Sequence, residues 1–113
     1  MIQIYHNPRC TKSRETLQLL ETQGVTLEVV EYLKDIPNSD EISELLTKLG
    51  LRAEQLVRKS EAVYKEKFRG KELSENQWIQ AMIDNPKLIQ RPIVVNGNQA
   101  RIGRPPESVL EII

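Results

Sequence analysis

The chain holds a single cysteine, Cys10, among its 113 residues. No intramolecular disulfide can form, and a lone cysteine fits a reducing cytosol better than a secreted disulfide framework. Histidine is equally scarce, with His6 alone. One histidine and one cysteine make no obvious metal site. No apolar run approaches the length that crosses a bilayer. The opening Met1-Ile2-Gln3-Ile4-Tyr5 lacks the basic leader and long apolar core of a secretion signal. Repeats, low-complexity tracts and linkers are missing too. Net charge is also absent, with 16 Lys plus Arg against 16 Asp plus Glu. Proteins that grip nucleic acid by bulk electrostatics carry a basic excess, so that class is disfavoured. These absences leave a soluble, cytoplasmic chain as the expectation. Its 39% apolar and 28% charged residues are ordinary for a globular protein. Its length suits one domain that closes one hydrophobic core without staples.

The zero total conceals an uneven distribution. Residues 1–14 contain Arg9, Lys12 and Arg14 and no acid. Residues 85–106 contain Lys87, Arg91, Arg101 and Arg104 and no acid. The stretch between them carries nine bases against fourteen acids. If the two basic segments meet in space, they form a local cationic site on a neutral body, suited to a small anion. Chance scatter of surface charge accounts for the counts equally well.

Local patterns predict the element order. Ile2 and Ile4 mark a short strand that stops at Asn7-Pro8. Thr11 or Ser13 then caps a helix to about Gln23, with Leu17, Leu19 and Leu20 inward and Gly24 at its end. Residues 26–32 read as a β-branched strand. Pro37 to Asp40 open a second helix, with Ile42, Leu45, Leu46 and Leu49 at helical spacing and Gly50 closing it. Residues 53–72 are mixed and suit one or two short helices. Ser74 caps a helix through about Asp84, with Trp78, Met82, Ile79 and Ile83 inward, and Asn85-Pro86 stops it. Ile93-Val94-Val95, a turn at Asn96-Gly97 and the return Gln99 to Ile102 read as a hairpin. Pro105 or Pro106 starts a last helix through Val109, Leu110 and Ile113. The order is β-α-β, a helical stretch, then β-β-α, which predicts a small sheet with helices packed on it.

Cys10 lies between a strand and a helix start, within four residues of Arg9, Lys12 and Arg14 and near His6. Free N–H groups at a helix N-terminus and nearby cations both favour a thiolate. A free thiol near pKa ~8.5 is only slightly ionised at neutral pH, so this setting raises reactivity substantially. The plainer role for a lone cysteine is a small buried hydrophobe, and the polar surroundings argue against it. Cys10-Thr11-Lys12-Ser13 is a CxxC with its second cysteine replaced by serine. Chemistry at Cys10 therefore needs an outside thiol to resolve it. Ser13 could cap the helix or hydrogen-bond the thiolate. Arg91 and Arg104 each precede a proline, which restricts their backbones, and Arg58 stands in the mixed segment. Guanidinium groups bind tetrahedral oxyanions in bidentate fashion. Each of these arginines alone suits a solvated surface equally well, and spacing does not unite them.

Taken in order, four motifs resemble the ArsC family: Tyr5-His6-Asn7-Pro8-Arg9-Cys10-Thr11-Lys12-Ser13-Arg14, Leu56-Val57-Arg58-Lys59, Arg91-Pro92-Ile93-Val94-Val95 and Arg104-Pro105. That family comprises glutaredoxin-dependent arsenate reductases of thioredoxin-like fold, and the sequence is most similar to its YfgD-like branch. The resemblance covers nearly the whole chain. It implies one α/β domain over residues 1–113, with a mixed thioredoxin-like sheet and a helical insertion at about 38–86. It implies that Cys10 is the catalytic nucleophile, that Arg58, Arg91 and Arg104 bind the oxyanion, and that His6, Ser13 and Arg14 support the loop. Pro92 falls where thioredoxin-like folds carry a cis-proline. The implied activity is reduction of arsenate, or a similar oxyanion, with glutathione as co-substrate and glutaredoxin as partner. No bound cofactor, metal, nucleic acid or membrane is implied. Two alternatives stay within the family: a thiol oxidoreductase acting on another substrate, and an Spx-like regulator that binds a protein such as RNA polymerase. Many Spx proteins carry a CxxC switch, which Ser13 removes here.

Overall fold

A computed structural model describes all 113 residues. Strand β1 (Ile2–Tyr5) buries Ile2, Ile4 and Tyr5 and occupies the middle of a four-stranded sheet. It pairs in parallel with β2 (Leu27–Val30) and antiparallel with β3 (Ile93–Asn96). β3 pairs antiparallel with β4 (Gln99–Ile102), giving the order β2-β1-β3-β4. Helix α1 (Thr11–Thr22) makes the crossover between the parallel strands. This mixed sheet is the thioredoxin-like arrangement that the resemblance implies. Ile2, Ile4, Leu20, Val94, Val109 and Ile112 form its core. Leu17, Leu19, Val25 and Leu27 pack partly buried against it.

Three details depart from the sequence reading. β2 ends at Val30, not Tyr32. Its neighbour β1 leaves the sheet at Tyr5, and His6 N–H to the Val30 carbonyl, at 2.8 Å, is the next bond along. The residues beyond have no strand to pair with. The hairpin loop is Gly97-Asn98, because Asn96 and Gln99 are partners in the ladder. Gly97 takes φ 62° and no other residue type has positive φ, the pattern of a II′ loop with glycine first. The last helix, Pro106–Ile112, is 3₁₀ throughout. Three residues per turn bring Pro106, Val109 and Ile112 onto one face, and these are buried. Leu110 and Ile113 are exposed.

The chain folds as two compact units. Met1–Asp35 with Arg91–Ile113 forms the sheet unit, and Ile36–Gln90 forms a helical one. In the helical unit α2 (Ser39–Leu49) buries Ile42, Leu45 and Leu46. Its start is a capping box between Asn38 and Glu41, and Gly50 ends it at φ 70°. The mixed segment forms two short helices, α3 (Ala53–Leu56) and α4 (Ala62–Lys67). Helix α5 (Glu75–Asp84) starts at a second capping box, Ser74 with Gln77, and buries Trp78, Ile79, Ala81 and Met82. Tyr64 stacks on Trp78 with ring centroids 6.4 Å apart, and Phe68 lies 5.9 Å from Trp78. No helix is long and apolar enough to cross a membrane.

Candidate active site

The loop between β1 and α1 is fastened by side chains. Cys10 itself occupies the N-cap of α1, with extended φ −94° and ψ 124°. Neither Thr11 nor Ser13 caps the helix. Ser13 stands one turn in, fully buried, and its hydroxyl is committed elsewhere. Its Oγ accepts the Asn7 N–H at 3.0 Å and lies 2.7 Å from His6 Nδ1. Asn7 is buried as well. Its Oδ1 accepts the Arg9 N–H at 3.0 Å, and its carbonyl accepts the Cys10 N–H at 3.0 Å. Arg14 donates to the Pro8 carbonyl at 2.9 Å and to Thr11 Oγ1 at 3.3 Å. His6, Asn7, Ser13 and Arg14 thus hold the loop whose last residue is the cysteine.

Across the sheet unit, the chain segments entering β3 and leaving β4 face this loop. The Arg91–Pro92 and Arg104–Pro105 bonds are both cis. The first was implied by the resemblance and the second was not foreseen. Arg104 donates from Nε to the Arg91 carbonyl at 2.9 Å, and its Nη2 lies 3.5 Å from Cys10 Sγ. The Arg91 guanidinium also bonds the sulfur. Burial opposes ionisation of Cys10 and is the largest single influence. The Ser13 N–H, the Arg91 bond and the charges of Arg91 and Arg104 together outweigh it, so the thiol sits below its ordinary value. The helix forms no regular side-chain capping bond, but the Ser13 N–H still acts on the sulfur and favours its anion. Burial also lowers His6, helped by Arg14 and opposed by Glu31.

The second basic segment therefore brings Arg91 and Arg104 to the sulfur that the first segment carries. Arg58 belongs to the helical unit. Its N–H donates to the Leu88 carbonyl at 2.6 Å and its Nε to Ser60 Oγ at 3.0 Å, while Nη1 is buried with no hydrogen-bond partner. In the sequence Asn7-Pro8 marks the end of a strand, and an Asn-Pro turn also offers a side-chain oxygen to nearby N–H groups. Thr16 and Gly103 carried no local signal of importance. No group of three His, Cys, Asp or Glu is placed to hold a metal ion.

A partly exposed thiol stands at a helix N-cap against the Arg104 guanidinium, beside a thioredoxin-like sheet, an arrangement that favours a thiolate. A sequence model of the ArsC family matches residues 5–112. The chain belongs to the ArsC family. It is 54% identical to the uncharacterized protein YfgD of Escherichia coli K12, over 99% of this chain and 96% of that protein. It is 43% identical to an arsenate reductase of Haemophilus influenzae, over 97% of each. The solved structure of an arsenate reductase from Vibrio cholerae superposes with a TM-score of 0.95 at 50% identity, covering 99% of this chain and 97% of that one.

Proposed function

We propose that this protein is an arsenate reductase of the glutaredoxin type. The observation that carries the proposal is the Cys10 sulfur with Arg104 Nη2 at 3.5 Å and Arg91 beside it. A thiolate and an oxyanion repel, and guanidinium groups offset that repulsion while stabilising charge that develops in the transition state. The Cys10 thiolate attacks arsenic, a sulfur–arsenic bond forms, and one arsenate oxygen leaves as water. A glutathione thiolate then attacks the Cys10 sulfur. A sulfur–sulfur bond forms, and the sulfur–arsenic electron pair passes to arsenic, which departs as arsenite. Glutaredoxin takes the glutathione from the mixed disulfide and returns Cys10 to the thiolate. With Ser13 at the second CxxC position and no other cysteine in the chain, an outside thiol is obligatory. Arg91 and Arg104 bind the anion in this reading. Arg58 is the third arginine that the resemblance assigns to it. His6, Ser13 and Arg14 hold the loop, and Pro92 borders it.

The test is a coupled assay with arsenate, glutathione, glutaredoxin, glutathione reductase and NADPH. Arsenate-dependent NADPH oxidation is expected, and Cys10→Ser lowers it by at least about 100-fold. Absence of turnover in the wild-type protein, together with a Cys10 thiol of ordinary pKa, refutes the reading.

A further inference from the structure

Gly103 stands at the end of β4, buried, one residue before Arg104. Its backbone does not need glycine, since its φ lies outside the left-handed region. Space requires it. A Cβ on residue 103 would lie 2.6 Å from Thr16 Oγ1, 2.8 Å from Pro92 Cγ and 3.2 Å from Thr16 Cγ2. Neither neighbour can step aside cheaply. Thr16 is fully buried, and its Oγ1 donates to the Lys12 carbonyl at 2.8 Å. Turning its χ1 only exchanges one crowded branch for another. Pro92 is a buried ring at the entry to β3, and its carbonyl accepts the Gly103 N–H at 2.9 Å. Any side chain here must therefore push α1, Pro92 or the backbone of residue 103 outward.

The consequence falls on the site. Thr16 lies on the helix that begins at Cys10. Pro92 follows Arg91, whose carbonyl anchors Arg104 Nε. We propose that Gly103 is a positioning residue: lacking a side chain, it lets α1, Pro92 and the end of β4 close to contact, and so holds the Arg104 guanidinium against the Cys10 sulfur. The proposal rests on the reading of Cys10 as a thiolate nucleophile, and it makes its own demand on the thiol whether or not arsenate is the substrate.

The test follows the rate of iodoacetamide alkylation of Cys10 against pH, well below the melting temperature, in the intact protein. Gly103→Ala moves the profile to higher pH and slows alkylation at pH 7 by about threefold or more. In the coupled assay it lowers kcat/KM for arsenate. Adding Thr16→Ala, which removes both crowded branches, moves the profile back toward that of the wild type, whereas Thr16→Ala alone leaves it unchanged. If Gly103→Ala does not fold, Thr16→Ile adds bulk at the same contact from the helix side and must shift the profile in the same direction. A folded Gly103→Ala or Thr16→Ile protein with the wild-type profile overturns the proposal and leaves Gly103 a packing residue. Absence of arsenate turnover with the shift present overturns only the choice of substrate.

Discussion

The sheet unit and the helical unit are held together by different means. All four buried polar residues of the chain, His6, Asn7, Ser13 and Thr16, lie in the sheet unit, within or just after the Cys10 loop. Each is hydrogen-bonded to a neighbour in the loop or the first turns of α1. The helical unit buries Ile42, Leu45, Leu46, Leu56, Trp78, Ile79 and Met82, with no polar residue in that class. Its capping side chains act at exposed helix ends instead, in the boxes that start α2 and α5. Burying a polar group is costly unless it is paired, and each pairing fixes geometry in a way that apolar packing does not. One unit thus spends polar groups on geometry around a sulfur, while the other obtains stability from aliphatic faces and caps. Thiol ionisation should respond sharply to changes in the first and scarcely to changes in the second.

The largest expected break in that contrast comes from Arg104→Ala. Removing the guanidinium takes away one of the groups that lower the Cys10 pKa, so the thiol rises toward its ordinary value. The alkylation profile moves to higher pH, because the anion then forms only at higher pH. Loss of a preorganised donor of this kind typically costs about 10²–10³ in rate, and kcat/KM for arsenate should fall on that scale. A variant with unchanged thiol titration and turnover would show that the 3.5 Å contact has no electrostatic consequence.

Ser13→Ala comes next. It leaves the Asn7 N–H and His6 Nδ1 without the oxygen that now joins them, in a buried setting. An orphaned buried polar group costs about 1–3 kcal/mol, so denaturant melts should show destabilisation on that order. Ser13→Thr, which restores a hydroxyl, should recover part of it if the extra methyl is tolerated. The loop amides should exchange with solvent faster in the alanine variant than in the wild type. Unaltered exchange at Asn7 and Arg9 would mean that the loop holds its shape without the serine.

Legibility in the sequence divides along the same line. The helical unit speaks locally. Asn38 with Glu41, Ser74 with Gln77, Gly50 and the 42/45/46/49 spacing mark α2 and α5 close to where they occur. The Cys10 loop is legible in part, since a thiol between a strand and a helix start is a local pattern. The meeting of Cys10 with Arg104 is not, because 94 residues separate them and no spacing rule spans that gap. Only the resemblance supplied it. Gly103 left no local trace, because its constraint comes from Thr16 and Pro92, which are remote in sequence. The C-terminal segment misled for a different reason. Val109, Leu110 and Ile113 fit an α-helical stripe, yet the chain winds as 3₁₀ and buries residues 106, 109 and 112. Periodicity read at 3.6 residues mistakes a helix built at three.

The smallest effect should come from the helical unit. Asn38 accepts the Glu41 N–H at 2.9 Å, and Glu41 Oε1 accepts the Asn38 N–H at 3.1 Å, both at an exposed helix end. Asn38→Ala removes one half of this box and exposes one helix N–H group to water. The expected loss is about 1 kcal/mol, read as a lower denaturant midpoint with an unchanged slope. The same variant should leave the pH profile of Cys10 alkylation where it was, since neither Asn38 nor Glu41 acts on the sulfur. A cap deletion that destabilises the fold and also shifts the thiol would show that the helical unit helps to set the site's electrostatics. The separation of roles drawn above would then fail, and Arg58 would be the first residue to substitute in search of the link.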